Sequence, residues 1–114
     1  MKFETFEEIL AWQKAEKLTI EIYEIFKNCK DFGYTRQIQR ATVSIMNNIA
    51  EGFERRSNKE FRHFLFIAKG SCGEVRSMLH LATKLQYISE EEYLSLKENS
   101  VEISKMLSGL IKTL

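Results

Sequence analysis

The sequence predicts an all-α protein, an antiparallel up-and-down four-helix bundle in which residues 1–114 form one domain. Three observations predict it. The chain has no proline and only five glycines, and the Asn-Gly dipeptide that signals a β-hairpin is absent. Apolar residues recur at three- and four-residue spacing through four long segments, the period of a helix with one buried stripe. The connections between these segments are short, so each helix must return antiparallel to the one before it.

The first helix is expected from about Glu7 to Asn28, on Ala11, Ala15, Leu18, Ile22 and Ile25. Thr5 with Glu8 three residues later forms a capping-box pattern ahead of it. Asp31-Phe32-Gly33 reads as a turn in which Gly33 is free to take positive φ. The second helix is expected from about Thr35 to Glu54, on Ile38, Val43, Ile45, Met46, Ile49 and Ala50. Arg55-Arg56-Ser57-Asn58 connects it to a third, with Ser57 as N-cap and Glu60 completing a capping box. That third helix runs to about Leu85 on Phe61, Phe64, Leu65, Ala68, Cys72, Val75, Leu79 and Ala82. Gln86-Tyr87-Ile88 forms the last turn. Ser89 followed by Glu90, Glu91 and Glu92 starts the fourth helix, a cap and then acids at the positive end of the dipole. Leu96, Ile103, Leu107, Leu110 and Leu114 carry its apolar side.

Composition narrows the function. The net charge is +1, so the overall basic field that drives nucleic-acid binding is missing and any such binding must use a local patch. Residues 34–76 do carry eight Lys/Arg against four Asp/Glu, while both flanking segments are mildly acidic. This basic segment is either a solvated helix face or such a patch. Cys29 and Cys72 read as two reduced, buried thiols rather than a disulfide. The N-terminus lacks the basic and apolar regions of a signal peptide, and no apolar run approaches the ~20 residues of a membrane span. The expected location is the cytoplasm.

Catalytic patterns fail in turn. Lys69-Gly70-Ser71-Cys72-Gly73-Glu74 has glycines but lies on a helix and lacks P-loop spacing. Ser71 and Cys72 have no histidine at helical spacing to activate them. His63 and His80 are too far apart on one helix to share a metal ion. No enzyme activity, cofactor or metal is expected. Two glycines within one helical turn cost about 1 kcal/mol each against alanine. They suggest a small-residue face (Gly70, Gly73, Ser77) free for a neighbouring subunit, or simple relief of crowding around Phe61, Phe64 and Phe66. On the second helix Arg40, Ser44, Asn48 and Glu51 form a polar stripe that Glu74 could meet from the third. The stripe is either solvated or partly enclosed, in which case Arg40 needs Glu51 or Glu74 as a partner.

These residues also carry a resemblance. Ala11-Trp12-Gln13-Lys14-Ala15 resembles the V-W-Q-K-A opening of the four-helix-bundle proteins encoded in intervening sequences of bacterial 23S ribosomal RNA genes, the S23-like family. Gln37 to Ile45 is similar to its Q-L-R-R-A-A-V-S-I segment, Asn48-Ile49-Ala50-Glu51-Gly52 to N-I-A-E-G, and Lys59-Glu60-Phe61 with Phe64-Leu65 to K-E-F-x-x-F-L. Ala68-Lys69-Gly70-Ser71 with Glu74 is similar to A-x-G-S-x-x-E. The match runs in order through nearly the whole chain. It departs where the family often has S-I-P-x-N and this chain reads Ser44-Ile45-Met46-Asn47-Asn48, and where the family often has F-P after the first helix.

The resemblance implies a homopentamer without known catalytic activity. A related bundle protein of diversity-generating retroelements works with a reverse transcriptase and nucleic acid, which suggests by analogy a role with RNA. The expected function is therefore a non-enzymatic, self-assembling bundle that binds RNA or a nucleic-acid-processing protein. Its basic candidates are Arg36, Arg40, Arg55, Arg56, Lys59, Arg62 and Lys69. The family-motif positions Arg40, Ser44, Asn48, Glu51, Gly52, Ser71 and Glu74 form an expected polar network near subunit contacts. The alternative is a structural or protein-interaction module with no nucleic-acid contact. Trp12, Tyr23, Phe26 and Phe66 lie outside the core stripes, the excess apolar surface that marks an interface.

Overall fold

The computed structural model describes residues 3–114, which form four helices: α1 Leu10–Ile25, α2 Phe32–Glu54, α3 Asn58–Lys84 and α4 Glu90–Lys112. Each packs on its neighbours in sequence, and α1 closes the square against α4. The α2–α3 contact is the most extensive and α1–α4 the least. The molecule measures 43 × 21 × 19 Å, and its long axis matches the ~40 Å expected of a 27-residue helix. This is the antiparallel four-helix bundle that the apolar periodicity predicts. Among the described residues no helix is long and apolar enough to cross a membrane.

The core is a column of aliphatic side chains from all four helices. Ala15, Leu18 and Ile22 meet Ile38, Ile45 and Ile49, and these pack on Phe61, Leu65, Leu79, Leu96, Ile103 and Leu107, all of them buried. Four buried polar residues are satisfied locally. Thr19 and Thr42 donate to the carbonyls of Ala15 and Ile38, each at 2.7 Å. Ser71 meets the Ser44 hydroxyl, and Ser100 donates across the interface to the Cys72 carbonyl at 3.2 Å. Thr19 also approaches the sulfur of Met46 at 3.7 Å. Met46 stands where the resembling family often has proline, and α2 runs through this position uninterrupted.

Three boundaries differ from expectation. Glu8 does receive the Thr5 N–H at 3.0 Å, but this closes a 3-10 turn at Phe6–Glu8 and not α1 itself. The helix starts after Ile9, which is buried and has no capping side chain. It also ends three residues early, leaving Cys29 half-buried in the connection. Asp31 then caps α2 by accepting the Tyr34 N–H at 3.1 Å, so Phe32 and Gly33 are helical and Gly33 has no positive φ. A cap three residues upstream converts the expected turn into a first helical turn. At α3, Ser57 caps as expected, but the Glu60 carboxylate takes the Ser57 hydroxyl at 3.2 Å. At α4, Ser89 and Glu92 form the full reciprocal box.

The α3 C-terminus carries the one positive φ among the described residues, Gln86 at 63°. Gln86 N–H bonds to the Thr83 carbonyl and Tyr87 N–H to that of Ala82, the paired bonds of a Schellman ending usually built with glycine. This turn throws Tyr87 back over the end of the bundle. Its hydroxyl donates to the second Asp31 oxygen at 2.5 Å, and its ring packs edge-on to Tyr34 at 5.3 Å. The α1–α2 and α3–α4 connections are thereby latched at one end.

The hydrogen bond from Tyr87, with that from the Tyr34 N–H, holds the Asp31 carboxyl below its ordinary value, and the same bond holds the Tyr87 phenol above its own. The lowered carboxyl contributes stability at neutral pH that is lost as pH falls through about 4 and below. The raised phenol contributes stability that is full below about pH 10 and lost as pH rises further. Tyr87→Phe should therefore lower the melting temperature at pH 7, by an amount that shrinks as pH falls below about 4 and Asp31 takes up its proton. A melting difference that stays the same as pH falls would show that the charge on Asp31 does not strengthen the latch.

Candidate nucleic-acid interface

The motif residues of α2 and α3 fall into two groups. Along the seam between the helices, Gln37 Nε2 donates to Glu74 Oε2 at 2.6 Å. Two turns on, the Ser44 and Ser71 hydroxyls meet at 2.9 Å. Asn48 donates to the Ser44 carbonyl at 2.8 Å and to its hydroxyl at 2.9 Å. Gly52 ends the series: a Cβ there would lie 2.6 Å from Cβ of Phe64 and 3.0 Å from Cδ1 of Phe61. Any side chain at 52 would force the helices apart, because atoms cannot approach so closely without overlap. Ser44, Asn48, Gly52 and Ser71 therefore build the bundle from within, and Glu74 joins them at the exposed end of the seam.

Arg40 and Glu51 do not join this series. Glu51 accepts from Arg55 at 3.1 Å, one turn along α2, and Gln37 engages Glu74. Arg40 is exposed, and among the described residues it makes no ion pair within 4 Å. The partnership of Arg40 with Glu51 or Glu74 that the polar stripe suggested does not form among the described residues, since Arg55 engages Glu51 and Gln37 engages Glu74. Arg40 instead faces a groove that Ser44 and Asn48 also line.

The seven basic candidates fall into four settings. Arg36 and Arg40 stand on the outward side of α2 and line a shallow groove of about 450 Å³ with Tyr23 of α1, Gln39, Val43, Ser44, Asn47 and Asn48. Arg55 is bound into the fold: besides Glu51 it lies 3.9 Å from Glu60, and its guanidinium sits 4.8 Å from the Phe64 ring centre. Arg56 and Lys59 are exposed at the α2–α3 turn, and Arg62 and Lys69 are half-buried along α3. Neither Tyr23 as a wall of the groove nor Gln37 as the partner of Glu74 was singled out from sequence. Both were visible only as a widening of an apolar stripe and as one letter of a motif.

On α3 the small residues divide as expected. Ala68, Ser71 and Cys72 are buried, while Gly70 faces open space with nothing within 4 Å of a notional Cβ. Crowding around the phenylalanines therefore does not explain Gly70. On the turn before it lie Phe66 and Ile67, 55% and 40% exposed, and three turns after it Leu81, 46% exposed. Burial pushes the Cys72 thiol up to about 11, so it is protonated at neutral pH, and the Ser71 hydroxyl is occupied by Ser44.

Fold and seam together define a small antiparallel four-helix bundle whose central helix pair is fastened by small and polar side chains. The sequence model of the 23S rRNA-intervening sequence protein family matches residues 7–109, and the chain belongs to that family. It is similar to a crystal structure, at 1.70 Å resolution, of a protein of unknown function from the S23 ribosomal protein family of Bacteroides thetaiotaomicron VPI-5482. The two are 31% identical with a TM-score of 0.84, over 90% of this chain and 99% of the other. A search of curated proteins found no match.

Gly52 supplies a direct test of the seam. Gly52→Ala should destabilise the fold by about 1–3 kcal/mol, the usual range for overpacking, although alanine favours helix. Gly70→Ala, on the open side of α3, should be stabilising by up to ~1 kcal/mol through helix propensity alone. Chemical denaturation of both variants checks the pair, and equal shifts would refute the close approach.

Proposed function

We propose that the chain is a non-enzymatic, self-assembling bundle of the cytoplasm that binds RNA. The observation that carries this reading is the set of basic side chains left without acidic partners on a nearly neutral chain. Lys14, Lys27 and Arg55 are held in ion pairs, whereas Arg36, Arg40, Arg56, Lys59, Arg62 and Lys69 have no carboxylate within 4 Å among the described residues. Arginines with free donors suit phosphate, which they grip in bidentate fashion. The absence of an activated nucleophile at Ser71 or Cys72 agrees with a binding role.

Self-assembly is supported by the outer face of α3. Phe66, Ile67, Gly70 and Leu81 give it a second apolar stripe opposite the core, and large exposed apolar patches on a helix mark interfaces. Gly70 would let a neighbouring backbone approach closely. The homopentamer implied by the family resemblance would form by repeating one heterologous contact until the ring closes.

Two measurements test the reading. In a gel-shift series against structured RNA, the affinity should fall steeply with salt, because phosphate contacts release counterions. No binding at low salt would favour the alternative, a protein-interaction module with no nucleic-acid contact. Light scattering at micromolar concentration should give several times the 13.4 kDa chain mass, and Phe66→Asp with Leu81→Asp should reduce it to the monomer with helicity retained. A monomeric parent would refute self-assembly.

A further inference from the structure

We infer that the groove between α1 and α2 holds a short segment of single-stranded RNA, with phosphates on Arg36 and Arg40 and a base against Tyr23. This rests on the RNA-binding reading above and narrows it to one surface and one form of RNA. The groove has a volume of about 450 Å³, and none of the residues lining it is acidic. Its two arginines are one helical turn apart, about 6 Å along the axis. Both are exposed, and neither has a carboxylate within 4 Å among the described residues, which leaves their donors open to a ligand.

The rest of the lining matches unpaired nucleotides rather than a duplex. Tyr23 is 45% exposed, which leaves ring surface for a base. Stacking of this kind requires bases that are not already paired, and sequence-tolerant RNA binders combine it with a basic track for the backbone. Gln39 and Asn47 add amides able to donate to and accept from base edges. From Arg36 to Asn47 the track runs about 16 Å along α2, room for roughly three to five nucleotides at the phosphate spacing of one strand. The other basic sites lack this combination. Arg55 is consumed by Glu51 and Phe64, and no aromatic ring packs on Arg56 or Lys59.

The test uses the full chain and a fluorescent 12-nucleotide single-stranded RNA of mixed sequence, with the matching duplex as a second probe, over a salt series. Arg36→Gln with Arg40→Gln should weaken single-strand binding at least tenfold and lower the salt slope by about two phosphate contacts. Tyr23→Ala should weaken it roughly five- to hundredfold with the slope unchanged, as loss of one stacking platform would. Arg56→Gln with Lys59→Gln should weaken it less than Arg36→Gln with Arg40→Gln does. All four arginine and lysine positions are free of intrachain partners, and circular dichroism checks that each variant is folded. Single-strand affinity retained in Arg36→Gln/Arg40→Gln but lost in Arg56→Gln/Lys59→Gln would overturn the groove while leaving RNA binding intact. A duplex bound as tightly as the single strand, with Tyr23→Ala indifferent, would overturn the single-strand assignment. No binding of either probe by the parent at low salt would overturn both this inference and the RNA reading on which it rests.

Discussion

The approach of α2 to α3 at Gly52 sets the geometry on which the rest of the bundle depends. With Phe64 Cβ only 2.6 Å from where a Cβ would stand, the two backbones meet closely at the end next to their connection. Farther along, the seam is held by side chains too short or too polar to pack as ordinary core: Ser44 on Ser71, Asn48 on Ser44, Gln37 on Glu74. The two bonds that cross between the helices, Ser44 to Ser71 and Gln37 to Glu74, fix the register of one against the other, while Asn48 holds Ser44 from within α2. Sliding by one residue would leave the half-buried hydroxyls unpaired. Leucines alone would tolerate several registers, as uniform apolar cores do. Once α2 and α3 are set, α1 and α4 need only lay an aliphatic stripe into the grooves on either side.

The opposite end of the bundle has no such close approach and is fastened differently. There the α1–α2 and α3–α4 connections lie side by side, and Asp31 serves both. One carboxylate oxygen caps α2 and the other receives the Tyr87 hydroxyl. Tyr34 runs beneath them, bonded to the Met78 carbonyl at 2.7 Å and packed on Phe26. Burial keeps its phenol protonated well above the ordinary range. The two ends thus resist different disturbances. The Gly52 end depends on volume and hardly on pH, while the Asp31 end depends on ionisation.

Much of this could be read from the sequence, and the exceptions share a cause. Helix number, order and core positions follow from periodicity, which is a property of single helices. Leu18, Ile49, Leu65 and Leu107 are buried as the spacing requires. Helix starts failed where the cap had a competitor: Thr5–Glu8 is a sound capping pattern, but it closes a 3-10 turn, and Asp31 captured the residues assigned to a turn. The seam was half legible. Its polar members stood out as a stripe on one face of an apolar helix, but a shared face does not say which members bond to α3. Ser44 reaches Ser71, whereas Glu51 takes Arg55 and Arg40 has no carboxylate within 4 Å among the described residues. Gly52 gave no local sign of its role, since close approach is a relation between two helices.

The same division explains how a chain of net charge +1 can present a bare basic surface. Several of its acids are spent on the fold's own requirements. Glu92 and Glu60 serve helix starts, Glu51 holds Arg55, Glu102 holds Lys14, and Asp31 joins the two turns. Glu74, the acid that could have met Arg40, is drawn into the seam by Gln37. What remains on the outward flank of α2 is arginine, amide and tyrosine with no carboxylate among them. Charge neutrality over the whole chain and positive charge on one face are therefore compatible, because none of the carboxylates that balance the count lines that groove. A local field of this kind is screened within about 10 Å at ordinary ionic strength, so it acts on a ligand seated in the groove rather than by long-range attraction.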